Sequence, residues 1–318
     1  MPLLEVYRKA VISDLFKMKT FQSCWESQWG EKATDIIGDT PNFTELQLLG
    51  DNLRNIFLST NDGGRTQGNL SGGGAAWECL ITWYINLGLI GTRTIVLKHK
   101  KAFVPPVVAE ALTVWYEGFS SNTESDLIAI TFPDENEACY NAEYLQKFNG
   151  KSFNINELNS EISHSFNLNE IDRFIRDNFS KIKINVIQCK TNWNDNAQIP
   201  MAWDMIYSSN SFSGREISIG SKSYSIFKLN NFAYSFVTVP TQKNLEMFKD
   251  TSTSVARVKR LSGHNFWGVQ TKENIAYSLG DIFELNYPSS FDKEQFEDHF
   301  SSLENDYFNL YKNQTLTA

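Results

Sequence analysis

Apolar positions along the chain change their period several times, and these changes mark the elements. Over residues 3 to 18 they recur at helical spacing, with Leu4, Val11 and Leu15 on one stripe and Lys and Arg opposite; residues 44 to 58 predict a second helix. STNDGGRTQGNLSGGG (59–74) is too rich in Gly, Ser and Asn for either regular structure and predicts a mobile loop. The apolar run AAWECLITWYINLGLI that comes next predicts a buried helix. Beyond it, strands and helices alternate. RTIVLKHK (93–100) and SDLIAITF (125–132) read as strands. PPVVAEALTVWYEG opens with prolines suited to a first helical turn, and its end, LTVWYEG, either closes that helix or forms a strand pairing with 126–132.

The second half continues the alternation. LNEIDRFIRDNF (168–179) predicts an amphipathic helix with Ile171, Phe174, Ile175 and Phe179 on one face, and KIKINVIQC a strand. NDNAQIPMAWDMIYSS predicts a helix capped by Asp195 or Asn196, with Pro200 in its first turn and Ile199, Trp203 and Ile206 inward. KSYSIFKL and NFAYSFVTV read as strands, and the tail ends in an acidic, aromatic helix around 292–311. The order is that of a mixed α/β domain with a central sheet.

Composition narrows the partners. The 318 residues carry enough apolar and aromatic side chains for a packed core, and a formal net charge of −8. Bulk electrostatics therefore would not draw the molecule to nucleic acid, and any such binding must come from local basic patches. Cys24, Cys79, Cys139 and Cys189 lie far apart without a CxxC pair, which predicts free thiols in a reducing compartment, the cytoplasm. The charged N-terminus lacks the apolar stretch of a signal peptide, and the longest apolar run contains Glu78 and falls short of the roughly 20 residues a membrane span needs, so no membrane partner is expected.

Candidate chemistry gathers at the end of INVIQCK (184–190). Strand side chains repeat every second residue, so Gln188 and Lys190 share a face. Asp126 opens the strand DLIAITF, and Glu78 lies early in the apolar helix, where an unpaired charge is costly. Each of three elements thus offers an oxygen ligand. Taken singly, each has a plainer role: Asp126 a strand-end cap, Gln188 an edge residue bonded to backbone, Lys190 a solvated gatekeeper, Glu78 the partner of a core arginine.

Together and in this order, Glu78 in GGGAAWECL, Asp126 in ESDLIAITF, and Gln188 and Lys190 in INVIQCK resemble the PD-(D/E)xK nuclease superfamily, which includes many type II restriction endonucleases. The likeness covers about residues 72 to 240. It departs from the family pattern where Ser125 precedes Asp126, although a literal Pro133-Asp134 ends the same strand, and where Gln188 stands for a carboxylate. The resemblance implies a restriction-endonuclease-like central mixed β-sheet flanked by helices, with residues 1–70 a helical N-terminal addition, 71–240 the nuclease core, and 241–318 a mixed C-terminal addition for DNA contact or dimerisation. It implies Mg²⁺ (Mn²⁺ substituting) held by Asp126, Gln188, the Cys189 backbone carbonyl and Glu78, with Lys190 acting on the attacking water.

The resemblance also implies an activity: metal-dependent cleavage of double-stranded DNA, of the site-specific restriction type, by a homodimer or higher homo-oligomer. Asn192, Trp193 and Asn194 lie in a polar loop beside the proposed metal. Lys98 and Lys100 in KHKK, and Arg257, Lys259, Arg260 and His264 in RVKRLSGHNFWG, would supply DNA contacts or, equally, an ordinary solvated face. Two rival readings are a non-catalytic DNA-binding or assembly module on the same fold, and an anti-phage effector nuclease that waits for an activator.

Overall fold

A computed structural model describes residues 2–38, 42–59, 70–121, 125–134, 167–191, 197–209, 216–242, 244–301 and 308–310. The N-terminal part is helical: α1 (Pro2–Leu15), α2 (Lys19–Cys24) running through a π-turn at Trp25–Trp29 into α3 (Gly30–Ile37), then α4 (Phe43–Ser59). Next come α5 (Leu70–Gly88), β1 (Thr94–Lys98), α6 (Pro106–Leu112), β2 (Val114–Tyr116), β3 (Phe119–Ser121) and β4 (Leu127–Thr131). They are followed by α7 (Leu168–Asp177), β5 (Lys183–Lys190), α8 (Gln198–Ser208), β6 (Ile217–Ile219) and β7 (Asn231–Thr238). The chain closes with α9 (Thr253–Val258), β8 (Asn265–Trp267), β9 (Tyr277–Ser278), α10 (Ile282–Asn286) and α11 (Lys293–Ser301).

Six of these strands form one mixed sheet in the order β1-β4-β5-β7-β8-β9. The β1–β4 and β4–β5 pairs are antiparallel, and the β5–β7, β7–β8 and β8–β9 pairs are parallel. The antiparallel part keeps chain order, with α6, β2 and β3 between β1 and β4 and α7 between β4 and β5, whereas the parallel step from β5 to β7 is crossed by α8, as parallel pairing requires. Helices cover both faces. Val96, Leu127, Ala129, Ile187, Cys189 and Val237 pack towards α5, while Ile95, Leu97, Ile128, Ile130, Ile184, Val186 and Tyr234 share the opposite core with α6, α7 and α8.

α5 is apolar nearly all round, with Trp77, Leu80, Ile81, Trp83, Tyr84 and Ile85 fully buried, because it is sandwiched between the N-terminal helices and the sheet. Gly50 of α4 lies where a Cβ would collide with the Tyr84 hydroxyl, so this crossing depends on a glycine. The α5-side core runs from Ile12 to Leu310, joining the N-terminal helices, the sheet and the C-terminal elements in one cluster.

β1 is a sheet edge, and its outer backbone groups are met by side chains. The Asn86 amide donates to the Val96 carbonyl at 2.7 Å and accepts from the Val96 N–H at 3.1 Å, acting as a substitute strand. Arg8, fully buried on α1 rather than on the solvated face its charge suggested, donates to the Thr94 and Thr92 carbonyls at 2.9 Å each and to Asn86 Oδ1 at 3.2 Å. Glu5 accepts from its Nε at 3.0 Å and neutralises the charge.

Several local expectations change. The glycines at 72–74 fall inside α5, while residues 60–69 of the expected loop lie outside the described residues. LTVWYEG divides: the helix ends at Leu112, and β2 pairs with β3 and β6 instead of with 126–132. The hairpin turn at Glu117 and Gly118 has φ of 47° and 83°, the two positive values a tight two-residue turn requires. KSYSIFKL is not a strand. Ser221 Oγ accepts from the Tyr224 N–H at 3.0 Å, and Ser225 Oγ donates to the Ile219 carbonyl at 2.6 Å, so local serine bonds replace a ladder and only a 3₁₀ turn forms at Ile226–Lys228. On α8 the most buried positions are Pro200, Asp204 and Tyr207, with Ile199, Trp203 and Ile206 only half-buried. The helix is turned by its polar anchors: Asp204 accepts from the Ser262 N–H at 3.0 Å and hydroxyl at 2.6 Å, and the Tyr207 hydroxyl donates to Leu112 O at 2.7 Å. The caps expected at Asp195 and Asn196 lie outside the described residues. No described helix is long and apolar enough to cross a membrane. Cys24, Cys79 and Cys189 are free thiols.

Replacing Arg8 by Ala strands the Thr92 and Thr94 carbonyls and leaves the Glu5 carboxylate, still bonded to the Gly91 N–H, without its cation, and the expected loss is about 3 kcal/mol. Urea denaturation of the two proteins measures it, and a loss below about 1 kcal/mol would show that the edge is held by other means.

Candidate functional site

The site lies where β4 begins and β5 ends. Leu127 pairs with Ile187, so β5 runs three residues past its antiparallel partner while β7 accompanies it on the other side to Thr238. Backbone groups on the open side need substitutes. Asp126 Oδ2 accepts the Cys189 N–H at 2.6 Å, which makes Asp126 the cap of the unfinished ladder. The same oxygen stands 4.0 Å from Lys190 Nζ. The preceding residue is also fixed, since Ser125 Oγ lies 2.7 Å from His99 Nδ1 and the His99 N–H donates to the Asp126 carbonyl at 3.0 Å.

Alternation sorts the rest. Ile187 and Cys189 face α5, so Gln188 belongs to the other layer, fully buried, with its Oε1 3.4 Å from the Tyr234 hydroxyl. Lys190 continues the Gln188 face, and Glu78 on α5 approaches from the Cys189 side. Glu78 is ion-paired at 2.8 Å, not with an arginine but with Lys98 of β1. Side-chain exposures of 20% for Lys98, 22% for Glu78, 24% for Lys190 and 21% for Asp126 place both pairs at the rim, reachable by water without being fully solvated.

Cys189 is at the centre of these four charges. Burial pushes its thiol well above the ordinary range, Asp126 and Glu78 push the same way, and Lys190 and Lys98 oppose them. It is a neutral packing residue. Lys98 is held above its usual value. Burial works against its charge, and the attractions of the Cys79 sulfur and the Glu78 carboxylate outweigh it. Because burial raises the Cys79 thiol to about 12, that sulfur is neutral near pH 7, and there Glu78 carries the effect.

Asp126, Gln188, Cys189 and Lys190 are thus brought together, and Glu78 joins them from the other side of the sheet end with a cation already attached. Lys98 belongs to this group and not to a surface patch. A half-buried glutamate early in an apolar helix calls for a cation, and TIVLK places Lys98 on the same face as Val96, towards α5; that pairing was the available signal. Of the other basic residues, Lys100 is paired with Asp14 at 2.7 Å and Lys259 with Asp250 at 2.5 Å. Arg257 is half-buried, Arg260 is exposed, and burial lowers the pKa of His264, which leaves it uncharged near pH 7. Asn192, Trp193 and Asn194 lie outside the described residues.

The donors suit a hard ion that keeps much of its water: one carboxylate at Asp126, with the Gln188 amide and the Cys189 carbonyl on the adjoining strand end. Among the described residues no three His, Cys, Asp or Glu side chains are grouped to hold a metal, so a second carboxylate is available only if Glu78 exchanges Lys98 for the ion. No model of a known protein family matches the chain, and no curated protein matches it in sequence.

A folded-state pKa above the unfolded 10.5 means that the native protein holds the Lys98 proton more tightly. Its contribution to stability is therefore complete below that value and lost as pH rises through the folded one. The stability difference between wild type and Lys98→Met should stay constant from about pH 7 to about pH 9 and shrink only above 10.5, as thermal melts across pH would record. A difference that disappears by pH 9 would mean that the pair contributes nothing.

Proposed function

We propose that this protein is a Mg²⁺-dependent endonuclease of double-stranded DNA, of the restriction type and acting as a homodimer. The observation that carries the reading is the convergence of Asp126 and Lys190, 4.0 Å apart, at the partly exposed end of two antiparallel core strands, with Gln188 between them in sequence and Glu78 on the preceding helix. The mixed central sheet flanked by helices, with α5 before β1, β4 and β5 and with α8 leading to parallel β7, supports it as well.

In this reading Asp126, with the Gln188 amide oxygen and the Cys189 carbonyl, would hold the ion. Bound there, Mg²⁺ would polarise the scissile phosphate and lower the pKa of a water. Lys190 supplies a compact cation beside the carboxylate, placed to orient that water and to offset charge growing on the phosphate. The Cys189 N–H fixes the Asp126 carboxylate, so the ligand is positioned by backbone before any ion arrives. Glu78 and Lys98 form a neutral pair at rest. Release of Lys98 towards DNA phosphate would leave Glu78 as a second anion for the metal.

One observation favours a second reading, a DNA-binding or assembly module without catalysis. Gln188 contributes no charge and is wholly buried, and Glu78 is already neutralised by Lys98. The negative charge of the proposed ligand set then rests on Asp126, which itself lies 4.0 Å from Lys190.

Incubating the protein with plasmid and phage DNA separates the two. Mg²⁺-dependent nicking or cutting is expected, and Asp126→Ala and Lys190→Ala should each lower it at least about a hundredfold. Cleavage that survives both substitutions overturns the site. Tight, salt-sensitive DNA binding with no cleavage in Mg²⁺ or Mn²⁺ selects the second reading.

A further inference from the structure

A chain of net charge −8 needs a local cationic surface to hold DNA, and the basic segments marked by composition are largely spent: Lys98 is turned inward to Glu78, and Lys259 is paired with Asp250. A different surface is assembled by the fold beside the candidate site. The turn between α1 and α2 carries Lys17 and ends at Lys19, both exposed. The loop that leaves β1 carries Lys100 and Lys101, also exposed.

Side-chain contacts tie these two segments to each other and to the site. Met18, between the two lysines of the turn, has its Sδ 4.0 Å from Lys98 Nζ and 3.3 Å from Cys79 Sγ, so the turn packs on the Glu78–Lys98 pair. At the end of α1, Asp14 accepts from Lys100 Nζ at 2.7 Å, and its carbonyl accepts the Lys17 N–H at 3.1 Å. The His99 N–H, between Lys98 and Lys100, donates to the Asp126 carbonyl, so the loop starts next to the carboxylate residue of the proposed ligand set.

The sequence keeps negative charge away from this rim. Asp14 is the sole carboxylate between residues 6 and 25, and no Asp or Glu stands between residues 79 and 109. Asp14 is matched by Lys100 and Glu78 by Lys98, while Asp126 lies beside Lys190. No described carboxylate pairs with Lys17, Lys19 or Lys101. Six lysines thus meet three carboxylates around the site, a local excess of three positive charges on an acidic molecule. Ammonium groups on flexible stems, carried by mutually anchored segments, suit a row of phosphates, because Lys acts as a point charge that demands no fixed geometry of its partner.

We propose that the α1–α2 turn and the loop after β1 form a track for the DNA backbone, with Lys17, Lys19 and Lys101 holding phosphates of the duplex that reaches the candidate site. The proposal rests on DNA being the partner, whether or not it is cut. It gives a part in substrate binding to the N-terminal helices, which lie outside the span of the nuclease resemblance.

Fluorescence anisotropy with a labelled DNA duplex, measured on the full chain without divalent metal from about 50 to 200 mM salt, tests it. The triple variant Lys17→Ala, Lys19→Ala, Lys101→Ala should bind at least about tenfold more weakly than wild type, and its slope of log K against log salt should be shallower by about 2 to 3. The triple arginine variant at the same positions should stay within about threefold of wild type, since charge is what the track supplies. All three positions are exposed, so thermal melts should match and a loss of binding reports on the surface itself. Equal affinity and slope in wild type and the alanine variant overturn the proposal. So does binding that survives there but is lost in Arg257→Ala, Arg260→Ala, because the phosphates would then run over the other basic segment. Absence of DNA binding by wild type, or attachment to anionic-lipid vesicles instead, overturns it too. Cleavage in Mg²⁺ is read separately: DNA bound through these lysines but never cut keeps the track and fails only the nuclease reading, whereas cutting that the alanine variant leaves unchanged fails only the track.

Discussion

Strand β5 holds the register of the whole molecule. It is paired with parallel β7 along its whole length and with antiparallel β4 over Lys183–Ile187, so its alignment fixes at once which residues enter each core and what emerges at each end. A shift by one position would exchange Val186 and Gln188 for Ile187 and Cys189 between layers already closed by helices. Because the strand cannot slip, Asn185 at one end and Lys190 at the other stand in fixed places. The candidate site is therefore built on a strand whose register is held from both sides.

The same economy of backbone groups explains the charged residues. Where a ladder stops, something must take its hydrogen bonds. At the outer edge of β1 this is done by Asn86 and the buried guanidinium of Arg8, and at the end of β4 by the carboxylate of Asp126. At Asp126 the N–H that completes the strand also orients the carboxylate beside Lys190. The Glu78–Lys98 pair performs a comparable service for α5, allowing a glutamate to lie early in an otherwise apolar helix.

Much of this was legible in the residues. The amphipathic spacing of 168–177, the β-branched run of 183–190 and the apolar α5 all specify their elements locally, since periodicity reports directly on which side of a segment meets the core. The meeting of Asp126, Gln188 and Lys190 followed from alternation once two strands were adjacent. What failed did so for identifiable reasons. KSYSIFKL has a strand's composition, but its serines bond to nearby backbone. α8 is turned by Asp204 and Tyr207, whose partners, Ser262 and Leu112, are distant in sequence. Lys98 was grouped with its neighbours in KHKK by composition, whereas the alternation of β1 turns it inward to Glu78.

Local pattern was enough to specify the main elements and the α/β class, because side-chain period and intrinsic propensity act over a few residues. Which charges face one another was settled by the folded arrangement alone. Arg8 with Asn86, Glu78 with Lys98 and Asn185 with Ser235 are each separated by tens of residues. The first joins two helices, the second a helix and a strand and the third two adjacent strands, in a sheet whose strand order no local pattern specifies. Burial then sets their energies, since a charge or amide removed from water must find its partner wherever the fold has placed one.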